Sequence, residues 1–227
     1  MNMKITTAVF DMDGTLVDSL MLWDILWKRF GELYLNDESF LPTKDDDKKV
    51  RTLLLTDAMK LIHKNYGLGE SAQELLDTAN GIIVDFYSNS VQLKSGVIEF
   101  LEYLKQNGVR MCIASATEMN LLHLALGHCG IKKYFDEIFS CSVIGVGKDK
   151  PDIYLAAKNY FSSETEKTVV FEDSLTAIET AVRIGMKTVG IFDRFNFGQD
   201  EIKRLANAYI ADGEDLTKLV EQNFFEF

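Results

Sequence analysis

Two carboxylates two residues apart, in the run Asp11-Met12-Asp13-Gly14-Thr15, directly follow the apolar segment Ile5-Thr6-Thr7-Ala8-Val9-Phe10. That segment reads as a buried strand, and the C-terminal ends of strands in open α/β sheets are where ligands bind. Asp11 and Asp13 face the same way if the extended backbone persists that far, and Gly14 allows a sharp turn whose amides stay exposed. A pair this close can share a metal ion, or divide into an ionised nucleophile and a proton carrier. Taken alone, the pentapeptide also fits an ordinary Asp/Gly turn or the start of a calcium loop. Calcium needs further oxygen ligands at close spacing and a late bidentate Glu, whereas Thr15-Leu16-Val17 turns apolar there.

Three later segments offer matching chemistry. Val169-Val170-Phe171-Glu172-Asp173-Ser174 repeats the opening pattern, an apolar strand delivering two carboxylates with a helix behind them. One carboxylate can be a helix cap, but two, in a sheet that already carries two more, suggest a divalent cation. A hard ion such as Mg²⁺ takes one or two carboxylates, other oxygens and retained waters. After Val109 to Ala114 comes Ser115-Ala116-Thr117, a hydroxyl and adjoining amides at a strand-to-helix turn, suited to phosphate oxygens. Thr117 is expected to cap the following helix. Gly147-Lys148-Asp149-Lys150-Pro151-Asp152 places two lysines before an amphipathic helix. No Ser or Thr follows the lysine as a P-loop requires, and one of the two lysines is expected to be a solvated loop residue only.

Holding these groups together requires a sheet. Strands are expected at residues 5–10, 109–114, 137–141, 168–172 and 187–192, with a sixth at 208–211, and helical patterns fall between them. The alternation predicts right-handed crossovers and a mainly parallel, doubly wound α/β core. Leu20 to Val91 breaks the rhythm with three helical patterns, around Leu22–Leu33, Val50–Ile62 and Leu75–Phe86. It reads as an α-helical cap, residues 18–91, inserted into a core of residues 1–17 and 92–227, with hinges at 17–20 and 89–96. The acidic run Asp45-Asp46-Asp47 in the polar loop 36–49 is expected to be a solvated helix start.

The bulk numbers narrow the class. With 227 residues, 47% hydrophobic and 26% charged, the chain has the ordinary globular mix, and no apolar stretch is long and clean enough to span a bilayer. A strand begins within a few residues of the N-terminus, which leaves no room for a signal peptide, and a cytoplasmic location is expected. Cys112, Cys129 and Cys141 have no CxxC spacing, so neither a disulfide framework nor a zinc site is suggested. A net charge of −11 repels a phosphate backbone, which argues against nucleic acid as a partner, but a local metal and lysine can overrule that field for a small phosphorylated metabolite. The acidic surface permits a monomer or a weak homodimer.

The DMDGT start, the IASAT strand end, the GKDKPDIY segment and the FEDS segment, in this order, resemble the four motifs of the haloacid dehalogenase superfamily. The helical insertion is similar to that superfamily's first-type cap, placing the chain near its β-phosphoglucomutase and small-phosphatase branch. The resemblance implies a nucleophilic Asp11 that forms an aspartyl-phosphate, with Asp13 as acid and then base. It implies Mg²⁺ held by Asp11, Asp173 and the Asp13 carbonyl, with Glu172 acting through water. Ser115, together with amides of Met12, Asp13 and Ala116, would hold the phosphoryl group, and Lys148, which directly follows Gly147, would offset its charge and that of Asp11. Asp13 argues against true dehalogenation, whose branch lacks the second aspartate. Trp23 stands where the mutases carry a cap-entrance His, and Leu55 falls near the mutases' cap Arg, with Arg51 as a possible substitute. These departures favour a phosphatase over a mutase, and the paired carboxylates and lysine argue against a silent binding protein. Trp23 and Arg51 are the candidate substrate contacts in the cap, although Trp23 also suits a helix core and Arg51 an ordinary ion pair.

Overall fold

Apolar runs spaced through the sequence pair side by side as parallel strands in the computed structural model, which describes residues 3–51 and 53–226. The strands are β1 (Met3–Lys4), β2 (Thr7–Phe10), β3 (Arg110–Ser115), β4 (Glu137–Ser140), β5 (Thr168–Glu172), β6 (Lys187–Ile191), β7 (Ala208–Ile210) and β8 (Phe225–Glu226). Six of them form one sheet in the order β4-β3-β2-β5-β6-β7, parallel throughout, while β1 and β8 make a separate parallel pair that the sequence pattern does not announce. The strand order reverses between β2 and β5. From β2 the chain steps outward to β3 and β4, and from β5 outward the other way, so the loops leaving β2 and β5 diverge and open a crevice at their C-terminal ends.

Both faces of the sheet are covered, which is why β2 and β5 are buried along their whole length. Side chains alternate between the faces. Phe10 and Phe171 are directly opposed in the register and stack with centroids 4.3 Å apart, meeting Phe100 of helix Val97–Gln106. Val9 and Val170 point the other way, into a cluster with Cys112, Ala114, Ile153, Tyr154, Ala157 and Ala177 from strands and helices of the opposite layer. Burial of these side chains stabilises the sheet by roughly 1.5–3 kcal/mol for each large one.

The chain divides into two compact units, Met1–Ser19 with Val91–Phe227, and Leu20–Ser90. Within the first, the outgoing and returning segments are tied by backbone bonds from Asp18 N to Gln92 O and from Lys94 N to Leu16 O, both 2.9 Å. The second is helical: Leu22–Phe30, continued by a π-helical turn Gly31–Leu35, then Lys44–Val50, Leu55–Tyr66 and Ala72–Asn89. Leu26, Trp27 and Phe30 are buried with Met59, Ile62, Leu75 and Ala79. Where one helix is expected through residues 50–62 there are two. Leu53 N bonds back three residues to Val50 O, and a new helix starts when Ala58 N reaches Leu54 O. Apolar spacing is the same for one helix or for two in line, so periodicity alone does not mark the break. Asp45, Asp46 and Asp47 form the first turn of helix Lys44–Val50, where Thr43 accepts from Asp46 N and acidic residues complement the helix dipole. Asp47 also accepts from the Trp27 indole at 2.7 Å. No helix among the described residues is long and apolar enough to cross a membrane.

Candidate active site

The loop leaving β2 folds back on itself at once. Leu16 N and Val17 N both reach Met12 O, and Gly14 sits at φ 75°, a conformation that a side chain would strain. This leaves Asp11 at the end of the strand, buried at 6% exposure, and Asp13 just beyond it. Glu172 and Asp173 end the neighbouring strand β5 in the same way, at 1% and 2% exposure. One carboxylate oxygen from each of Asp11, Glu172 and Asp173 lies within 4.8 Å of the others. The Asp13 carboxylate stands outside that group.

Lys148 is the cation among these acids. Its ammonium donates to both Asp11 Oδ1 and Glu172 Oε1. The loop that carries it follows the short helix Cys141–Ile144 and is held from behind by Arg183, which donates to Asp149 O at 2.9 Å. Lys150 points into solvent. Glu172 is fully engaged: Oε2 accepts from the amides of Asp173 and Ser174, both at 3.1 Å, and Oε1 takes Lys148 with Tyr154 OH at 3.4 Å. Asp173 is gripped from both sides, Oδ1 by Thr15 Oγ1 at 3.0 Å and Oδ2 by the Asn196 amide.

Asp13 is held by two hydroxyls. Ser19 Oγ donates to Oδ1 and Thr117 Oγ1 to Oδ2, each at 2.6 Å. Thr117 therefore does not cap its helix as expected. Helix Met119–His128 begins after Glu118 with no side-chain cap, because the Thr117 hydroxyl is used across the sheet instead. Ser115 is buried and accepts from Thr117 N at 3.1 Å, fixing the turn that exposes Ala116. Ser19, Thr15 and Asn196 are the site neighbours that sequence reasoning missed. Thr15 is the last residue of the opening motif, but no local pattern marks Asn196, whose contact spans 23 residues.

Burial dominates the electrostatics. It raises the Asp11 carboxyl from 3.8 to about 7, with Lys148 pulling it down and Glu172 and Asp13 pushing it up. Asp173 is raised well above the usual range by burial and by the charges of Glu172 and Asp11. For Lys148, burial disfavours the ammonium, but Asp11 and Glu172 outweigh it and hold the amine charged. One lysine thus faces a cluster of oxygen donors that repel each other, a donor set suited to a hard divalent cation. This carries a pH signature. A carboxyl raised from 3.8 to about 7 contributes stability that is present at low pH and lost as pH rises through about 7. A divalent cation needs the ionised form, so the rise in melting temperature that it produces should be larger near pH 8 than near pH 6. Melts in EDTA and in excess cation at both pH values check this, and a cation effect that shrinks toward pH 8 contradicts it.

Acids converging on one lysine at the switch point of a doubly wound sheet fit an enzyme of anionic substrates, and the buried acid cluster suggests a divalent metal site. The chain belongs to the haloacid dehalogenase-like hydrolases, whose family model matches residues 5–185. It is similar to a phosphorylated carbohydrates phosphatase of Thermotoga maritima, 25% identical over 215 residues that cover 94% of this chain and 98% of the relative. It is also similar to a phosphoglycolate phosphatase of Nitrosococcus oceani, 26% identical over 203 residues, 85% of this chain and 86% of the relative. Among solved structures, one from Thermotoga maritima with a provisional β-phosphoglucomutase name superposes with a TM-score of 0.82 at 25% identity, covering 96% of this chain and 99% of that one.

Trp23 and Arg51 lie in the helical unit. Trp23 packs its ring against Trp27 at 5.3 Å. Arg51 Nε donates to Asp47 at 3.0 Å and its terminal nitrogens to Asp24 at 2.8 Å and to Leu20 O at 3.4 Å.

Proposed function

We propose that this protein is a Mg²⁺-dependent phosphatase of small phosphate monoesters, working through an aspartyl-phosphate on Asp11. The observation that carries the reading is the Lys148 ammonium bonded to both Asp11 and Glu172, a cation that opposes the effect of burial on the Asp11 carboxyl at the end of β2. An Asp11 oxygen attacks phosphorus as the ester P–O bond breaks, and Asp13 gives its proton to the departing oxygen. Asp13 then takes a proton from water as that water attacks phosphorus, releasing inorganic phosphate and restoring Asp11. Ser115, the amides of Met12, Asp13 and Ala116, and Lys148 hold the phosphoryl oxygens, since phosphoryl transfer is accelerated chiefly by positioning and charge stabilisation. Asp11, Asp173 and the Asp13 carbonyl would hold Mg²⁺, with Glu172 acting through water. When bound, the ion adds positive charge against the acid cluster and the phosphoryl oxygens.

The phosphatase names of the two relatives support substrates that are phosphorylated carbohydrates or small acids. The solved structure with a mutase name supports a second reading, a phosphosugar mutase. Against it, the Arg51 guanidinium is committed to Asp24 and Asp47, where a mutase needs an anchor for a second phosphate. A panel of sugar phosphates and phosphoglycolate assayed for phosphate release, with Mg²⁺ and with EDTA, tests the proposal. Release that requires Mg²⁺ is expected on several members of the panel; none above background from folded protein defeats it. Incubating a hexose 1-phosphate with a bisphosphate primer separates the two readings, because isomerisation faster than phosphate release selects the mutase.

A further inference from the structure

We propose that Asn196 is a positioning residue for Asp173, and that the half-buried Lys94–Asp193 ion pair anchors the loop that presents it. The inference rests on the reading of Asp173 as a Mg²⁺ ligand and adds a device that lies outside the four motif segments. A ligating carboxylate binds best when its rotamer is fixed beforehand and its spare lone pairs are already satisfied. Thr15 supplies this for one oxygen of Asp173 from the loop after β2. The other oxygen takes the Asn196 amide, which also donates to Asp173 O at 3.3 Å. The backbone carbonyl of Asp173 is an acceptor whatever the charge of the carboxyl, so the amide nitrogen is the end of Asn196 that faces this pair.

Asn196 can act this way only if its own loop is held, and the loop after β6 is fastened at several points. Asp193, with a side chain 3% exposed, accepts from Lys94 Nζ at 3.0 Å and from Phe195 N at 2.9 Å. Lys94 also donates to Phe192 O at 2.9 Å. The carbonyl of Asp193 receives Asn196 N and the Gln199 side chain, both at 3.1 Å. Lys94 itself lies in the segment returning from the helical insertion, paired through its backbone with Leu16. A continuous set of polar contacts therefore runs from the returning segment, through Asp193 and its loop, to the carboxylate of Asp173.

The test is a calorimetric Mg²⁺ titration of the full chain and of Asn196→Ala and Asn196→Leu, the second keeping the volume while removing the donor. Either folded variant should bind Mg²⁺ about 10-fold or more weakly, the scale of losing a partner to a ligand. Its kcat at saturating Mg²⁺ should stay within about threefold of the parent, because the chemistry is not touched. Its melting temperature in EDTA should be unchanged, which separates positioning from a general structural role. Lys94→Met should weaken binding in the parent but add nothing on the Asn196→Ala background, since its effect passes through the loop. A Kd within about twofold of the parent, or a fall in kcat with Kd unchanged, overturns the inference while leaving the phosphatase reading intact. A parent protein that binds no Mg²⁺ removes both.

Discussion

Asp11→Asn should leave a folded protein whose turnover is reduced by roughly 10⁴-fold or more, the scale found when the nucleophile of a concerted site is removed. An amide oxygen carries no charge and cannot form the bond to phosphorus that begins the reaction. Its shape is nearly that of the carboxylate, and Lys148 keeps Glu172 as a partner, so the loop carrying the lysine has no reason to move. The charge balance makes the two readouts diverge. Burial raises the Asp11 carboxyl to about 7, which means that at higher pH the folded protein bears a strained anion beside Glu172 and Asp173. A neutral amide relieves that repulsion. In EDTA near pH 8 the variant should therefore melt at or above the temperature of the parent, while activity on every phosphate ester collapses. Circular dichroism melts and a phosphate-release assay measure both, and activity within about tenfold of the parent would take Asp11 out of the nucleophile's role.

The core was legible because its signals are local. A strand buried on both faces reads as a near-continuous apolar run, and Ala8-Val9-Phe10 and Val169-Val170-Phe171 are such runs, each followed by acids whose burial would be costly without a use. The GKDKPD stretch offers two lysines before one helix, and the choice of Lys148 over Lys150 comes from the Gly-Lys pair of the family resemblance; in the structure it is the Lys148 ammonium that meets Asp11 and Glu172. What escaped were contacts between segments far apart in sequence. Thr117 looks like a helix cap because Thr beside a helix start usually is one; its hydroxyl instead meets Asp13, 104 residues away. Thr15 meets Asp173 across 158 residues, and the Lys94–Asp193 pair spans 99. Such hydrogen bonds depend on strand register and on loop paths, neither of which leaves a periodicity to read. The helical unit shows a limit of another kind, where the spacing around Val50 to Ile62 is right for helix but silent about a turn inside it.

Asp13→Asn is expected to separate the two halves of the reaction. Both need Asp13, first as the acid that protonates the leaving oxygen and then as the base that takes a proton from water, and each contribution is worth typically about 10²–10⁴-fold. The first depends on the leaving group. An alkoxide is too basic to depart unaided, so sugar phosphates should lose the first step and release almost nothing. A nitrophenolate departs readily without a proton, so nitrophenyl phosphate should still phosphorylate Asp11. Hydrolysis of the aspartyl-phosphate needs the base whatever the ester was, and it should stall. The asparagine keeps an oxygen able to accept from Ser19 or Thr117, the two hydroxyls that hold the carboxylate, so the loop geometry is preserved. Rapid mixing of the variant with nitrophenyl phosphate should then give a burst of nitrophenolate approaching one equivalent per chain, followed by turnover reduced about 100-fold or more. Acid quenching within the burst should recover protein-bound phosphate on Asp11. A variant that turns over nitrophenyl phosphate steadily at the parental rate, with no burst, would show that water is activated by another group and that Asp13 has been given a role it does not have.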